Sequence, residues 1–164
     1  MCRKAYSRIN ILRRLSALGC PRRELLDVLR MQVLCMVELA VPFWAPMITK
    51  VESDMLERVF KTGLRIIFQE EYKSFSQCLK LANMKSLKER RKDMVFKFSK
   101  QAQKHEVFSQ WFSKNNVTRS TRKTKPKYKP VTTRTARYAR SSLPVITEAL
   151  NWHPPKIYVA PNLN

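Results

Sequence analysis

The chain has 164 residues, enough for one domain and a tail, and 33 Lys+Arg against 12 Asp+Glu give a formal net charge of +21. Such an excess opposes compaction unless a polyanion neutralises it, which makes nucleic acid the leading partner and an anionic membrane surface the second. Only two glycines occur, too few for a hairpin-rich fold, and no strand pattern stands out before residue 114.

A first helix is expected from about Lys4 to Leu18. Ile11, Leu12, Leu15 and Leu18 share one face, Arg3, Arg13 and Arg14 lie opposite, and Arg8 intrudes on the apolar side. Gly19 supplies a left-handed stop and Pro21 suits a new start. The second helix runs from about Arg22 to Ala40, with Leu25, Leu26, Leu29, Val33, Met36, Val37 and Ala40 inward. Met31, Leu34, Cys35 and Leu39 extend its apolar surface round the back, as in a helix central to its domain. Pro42 and Pro46 preclude a regular helix over Val41 to Met47. They also break the apolar run from Met31 to Ile48, which carries Glu38 near its middle and is not expected to span a membrane.

Three capping signatures follow: Thr49-Lys50-Val51-Glu52, Ser74-Phe75-Ser76-Gln77 and Ser86-Leu87-Lys88-Glu89. The helix from about Lys50 to Phe68 is expected to turn Val51, Met55, Val59 and Phe60 inward, flanked by Leu56, Leu64 and Ile67. The helix from about Leu87 to Lys104 turns Leu87, Met94, Val95, Phe98 and Ala102 inward. Each carries a basic stripe: Arg58, Lys61 and Arg65 on one, Arg90, Lys97, Lys100 and Lys104 on the other. An ordinary solvated face explains a single stripe, and Asp54 and Asp93 offer local ion pairs. Two stripes beside a basic tail point instead to a polyanion-binding surface.

Between Lys114 and Ser142 the basic residues are Lys114, Arg119, Arg122, Lys123, Lys125, Lys127, Lys129, Arg134, Arg137 and Arg140, and there is no acid. Such a segment is expected to be disordered alone and to order along a phosphate backbone. Tyr128 and Tyr138 either stack on bases or are incidental. A short helix is expected from Leu143 to Asn151, and Pro154, Pro155 and Pro161 make the end extended. The predicted organisation is thus all-α: residues 1–113 as a small bundle of about five helices, 114–142 as a basic, largely disordered segment, and 143–164 as a short helix with a Pro-rich end.

No catalytic constellation is expected. Asp27, Asp54 and Asp93 are widely separated, Glu70-Glu71 reads as a solvated turn, and no glycine loop would cradle a phosphate. Cys2, Cys20, Cys35 and Cys78 form no C-x-x-C pair, and His105 and His153 have no ligand spacing. Neither a metal, a cofactor nor a small-molecule substrate is expected, and the compartment is read as reducing.

Several blocks together resemble a known family. They are Ala5-Tyr6-Ser7-Arg8 with Leu12-Arg13-Arg14-Leu15 and Gly19; Glu38, Ala40, Val41, Pro42, Trp44 and Pro46; Leu56-Glu57, Val59, Lys61 and Leu64-Arg65-Ile66-Ile67; Tyr72, Leu79, Leu87, Arg90 and Arg91; and Arg134 to Asn151 with Ser141-Ser142-Leu143-Pro144. In order and spacing they resemble the helical region after the polymerase palm in non-LTR retrotransposon reverse transcriptases of the jockey, CR1 and RTE kind. Leu39, Phe60 and Gly63 depart from it, standing where that family has Tyr, Gln and Ala.

The resemblance implies a thumb-like extension that grips template–primer duplex, with the palm that holds the metal-binding carboxylates missing from this chain. It implies a non-catalytic partner of RNA or an RNA–DNA hybrid. The contacts would be Arg58, Lys61, Arg65, Arg90, Lys97 and Lys104, continued by Arg119, Arg122, Lys123, Lys125, Lys127, Lys129, Arg134, Arg137 and Arg140. For Arg90 and Arg91 a bridge to a neighbouring carbonyl or carboxylate is an equal alternative. A rival reading is a basic structural protein of a ribonucleoprotein, such as a mitochondrial ribosomal component. It accounts for the charge and for acid-free residues 1–23, which also suit a transit peptide, but not for the pattern from Leu56 to Arg91. A nuclear or cytoplasmic location is therefore preferred over a mitochondrial one.

Overall fold

Capping chemistry fixes the main helix starts. Thr49 and Ser86 each accept from the amide of a glutamate three residues on, Glu52 and Glu89, whose carboxylates reach back to the cap amides. Ser74 accepts from the Gln77 amide. The computed structural model describes residues 2–115 and 127–151. In chain order it contains α1 (Cys2–Ala17), α2 (Arg22–Val28), a π-helical stretch (Leu29–Leu34), α3 (Cys35–Val37), α4 (Val41–Trp44), α5 (Lys50–Phe68), a 3-10 turn (Gln69–Glu71), α6 (Phe75–Leu81), α7 (Leu87–Lys104), α8 (Glu106–Ser109), α9 (Ala136–Ala139) and α10 (Ser142–Asn151). The fold is all-α, as the sequence predicts; among the described residues the sole β feature is one antiparallel bridge between Lys114 and Tyr128.

Helix α5 lies at the centre of the first core, packed by α1, α2, α6 and α7. Its buried side is Leu56, Val59, Phe60, Gly63, Leu64, Ile67 and Phe68, while Val51 and Met55, expected inward, are exposed. From α1 the core takes Ala5, Ile9 and Leu12; Ile11 and Leu18 face solvent instead. The inward face is therefore the 5, 9, 12 ridge, which sets α1 against α5 and leaves Arg8 to donate to Gln32 Oε1 at 2.7 Å.

The second expected helix ends early and changes pitch. A π-helical turn holds one more residue than an α-turn, so the apolar phase advances along the chain. Leu34 becomes fully buried beside Val33 and Val37, whereas Met31 and Leu39 are mostly exposed. Ala40 was expected to close the inward face; it is exposed and left-handed at φ 53°, because Pro42 forbids further helix and the chain must turn. The proline does not exclude helix altogether. Pro42 sits in the first turn of α4, where its missing amide costs nothing.

Gly63 has a local reason. A Cβ built there would lie 2.6 Å from Leu29 Cδ1, so glycine lets α5 approach the π-helical stretch. Alanine would gain about 1 kcal/mol of helix propensity. Displacing the fully buried Leu29 costs about 1–3 kcal/mol, so Gly63→Ala is expected to destabilise slightly on balance. Combining it with Leu29→Val should recover stability relative to the sum of the two changes. Urea midpoints of the four proteins measure this, and strictly additive midpoints would refute the contact.

A second core joins Val41, Val95, Ala102, Phe112, Tyr128 and Ile146. The basic segment takes part in it through Tyr128. Of its described part, residues 127–142, Tyr128 is buried, and its main chain is clasped by Asn151: the Tyr128 amide donates to Asn151 Oδ1 at 2.9 Å and Asn151 Nδ2 donates to the Tyr128 carbonyl at 3.0 Å. A stacking role on bases is thus excluded for Tyr128 in this arrangement. The helix expected at Leu143 to Asn151 is present as α10 and packs on α7 and α4. Ser142 Oγ donates to the Phe43 carbonyl at 2.8 Å.

Candidate nucleic-acid interface

Helix geometry places the α5 stripe opposite the buried face of that helix. Arg58 and Arg65 are exposed and Lys61 is half-buried. Two of the three lean on rings: Lys61 Nζ lies 5.0 Å from the Phe75 ring centre, and the Arg65 guanidinium lies 5.2 Å from that of Tyr72. Such cation–π contacts hold the long side chains in place while leaving their N–H donors unspent. Asp54 forms no ion pair with Arg58 among the described residues.

The α7 stripe divides. Lys97 and Lys104 are exposed and form no close ion pair among the described residues; Asp93 lies 2.5 Å from Lys85 and also feels the charge of Lys97 one turn on. That contact lowers the Asp93 pKa and raises that of Lys85. Lys100 lies over the Phe96 ring at 4.2 Å. Arg90 is not a free phosphate donor. Its Nε and Nη2 grip both oxygens of Glu38, the second at 2.8 Å, and the Glu38 hydrogen bond raises its pKa against the opposing effect of burial. Arg91 is buried and donates to Ser53 Oγ at 2.5 Å; burial lowers its pKa, with Glu57 opposing. Of the two roles open to this pair, Arg90 takes the bridge to a carboxylate, whereas Arg91 is buried against the Ser53 hydroxyl.

In the basic segment, Lys127, Lys129, Arg134, Arg137 and Arg140 are all exposed. Arg119, Arg122, Lys123 and Lys125 lie outside the described residues. The ends of that interval are held together: the Asn115 amide donates to the Lys127 carbonyl at 3.0 Å and the Lys129 amide to the Ser113 carbonyl at 2.9 Å. The α5 stripe rests on the rings of Phe75 in α6 and of Tyr72 before it, and the helix that carries the α7 stripe packs on α4 as well as on α5.

No sequence pattern signals a cleft of about 1090 Å³ between the α4–α5 connection, α5, α7 and α10. Asp54, Glu57, Asp93 and Glu148 line it, four of the chain's 12 acids, alongside Lys50, Lys88, Arg91 and Lys92. Its charges are balanced, so it is not the surface that a polyanion would select. Its walls come from segments far apart in the chain, from Ala45 to Ala149, so no local pattern marks it. Among the described residues no helix is long and apolar enough to cross a membrane.

Compared with protein-family models, curated proteins and solved structures, the chain has no significant match.

Proposed function

We propose that this chain is a non-catalytic, helical nucleic-acid-binding module that engages the phosphate backbone of RNA or an RNA–DNA hybrid, as the thumb-like part of a retrotransposon reverse transcriptase would. The observation that carries this reading is the distribution of ion pairs. The four described pairs use Arg22, Arg30, Lys85 and Arg90, and none uses Arg58, Lys61, Arg65, Lys97 or Lys104. The residues outside the description contain no Asp or Glu. The stripe cations therefore keep their charge available, in a chain with 33 basic residues against 12 acids.

Binding of the full chain to a primed RNA template should be weakly sequence-selective and steeply salt-dependent. With about six phosphates engaged, the log–log salt slope is expected near −4 to −5. Replacing Arg58, Lys97 and Lys104 together with Gln should flatten that slope by about 2 to 3, since these exposed side chains have no packing role. A slope that is flat in the parent chain, or unchanged in the triple variant, would remove the proposal.

A further inference from the structure

Outside the cationic stripes, the surface holds an aromatic row with exposed ends. Phe43 of α4 meets Phe98 of α7 edge-on at 5.2 Å between ring centres; Phe98 lies 6.2 Å from Phe108 of α8, and Phe108 lies 4.9 Å from Trp111. His105 adds a ring 4.9 Å from Phe108. These are the separations of interacting aromatic pairs, so the row is contiguous. Its middle members contribute to the second core, but its ends do not: Phe43 is 46 % exposed and Trp111 is 49 % exposed.

Charge borders the row. Lys97 precedes Phe98 on α7 and stands about a quarter-turn round the helix from it, and Lys104 ends α7 immediately before His105. Arg140 lies two residues before Ser142, whose hydroxyl is bonded to the Phe43 carbonyl. Against these stand Glu106, in the first turn of α8, and Glu38, which Arg90 already neutralises.

Resting on the backbone-binding reading above, we propose that this row is a stacking platform for unpaired bases of a single-stranded nucleic acid, with Trp111 and Phe43 as the outer rings and Lys97 and Lys104 holding the adjoining phosphates. The chemistry favours this occupant over an apolar partner. Every base has a π face, whatever its identity, and a row of rings flanked by cations satisfies base and phosphate together. A duplex keeps its bases stacked on each other and has no face to offer the rings. The platform therefore separates single-stranded from duplex substrate on a surface that the stripes alone would leave indifferent.

The test uses the full chain, a short oligouridine and a blunt RNA hairpin whose strands are joined by a non-nucleotide linker, so that it offers no unpaired base. Trp111→Leu keeps apolar bulk but removes the ring, whereas Trp111→Phe keeps a ring. Trp111→Leu is expected to weaken oligouridine binding about 5- to 100-fold and to leave hairpin binding unchanged, with Phe43→Leu behaving alike and Trp111→Phe close to the parent. Oligouridine should quench the parent's tryptophan emission by more than that of Trp111→Phe. Hairpin binding doubles as the folding control. Unchanged oligouridine binding by Trp111→Leu, with both ligands still bound, overturns the platform and leaves the backbone reading intact. Equal loss on both ligands also overturns it. If the parent binds neither ligand, the backbone reading fails and takes the platform with it.

Discussion

A chain ended at Ser113 is expected to be several kcal/mol less stable than the full chain, rather than simply less basic. Tyr128 and Ile146 both come from beyond that point and are buried in the second core. Burial of such side chains contributes about 1.5–3 kcal/mol each, so about 3–6 kcal/mol is lost from these two alone. Val41, Val95, Ala102 and Phe112 would lose their cover at the same time. Urea unfolding of the two chains, with a dye that reports exposed apolar surface, measures the effect. Equal unfolding midpoints would mean that the second core does not depend on α10. The practical consequence concerns binding. Truncation removes cations and part of the fold together, so substitution of exposed cations one by one is the cleaner way to apportion affinity between helices and tail.

Glu38→Ala is expected to cost about 2–3 kcal/mol, the second large effect. The Glu38 side chain is only 11 % exposed and Arg90 30 %. Removing one partner of a largely buried pair leaves the other charge without compensation, which costs about 3–5 kcal/mol when burial is complete, and the partial exposure of Arg90 reduces this. Removing Arg90 as well should restore part of the loss, because no orphaned charge then remains. A double-mutant cycle on urea midpoints would show this as a coupling above about 1 kcal/mol. Midpoints within about 0.5 kcal/mol of the parent would place the pair among ordinary surface ion pairs. The same contact explains why Arg90 does not serve the α7 stripe: its donors are spent on fixing the corner between α3 and α4 against α7.

Much of the helical framework was legible in the sequence because its causes are local. Thr49, Ser74 and Ser86 announce their helices through hydrogen bonds within one turn, and α5 and α7 span the expected residues. Gly19 stops α1 at φ 78° for a reason confined to its own backbone. The basic stripes are likewise a consequence of helical spacing alone.

Other features depend on what each segment meets, and no local rule could give them. The apolar face of α1 was misplaced by one ridge because Ile11 and Ile9 are equally apolar, and only the approach of α5 chooses between them. The need for Gly63 arises from the close approach of Leu29 to α5. Arg90 and Arg91 look alike in sequence beside any other basic pair, yet Glu38 and Ser53, 52 and 38 residues away, withdraw both from the surface. Tyr128 sits between Lys127 and Lys129 and is buried because Asn151 and Phe112 meet it in space. The all-α class and the main helix boundaries follow from interactions within a few residues, and the positive charge from composition alone. The tertiary structure alone decided which cations stay free, which aromatic rings reach the surface and where the second core closes, because burial and pairing are settled between segments far apart in the chain.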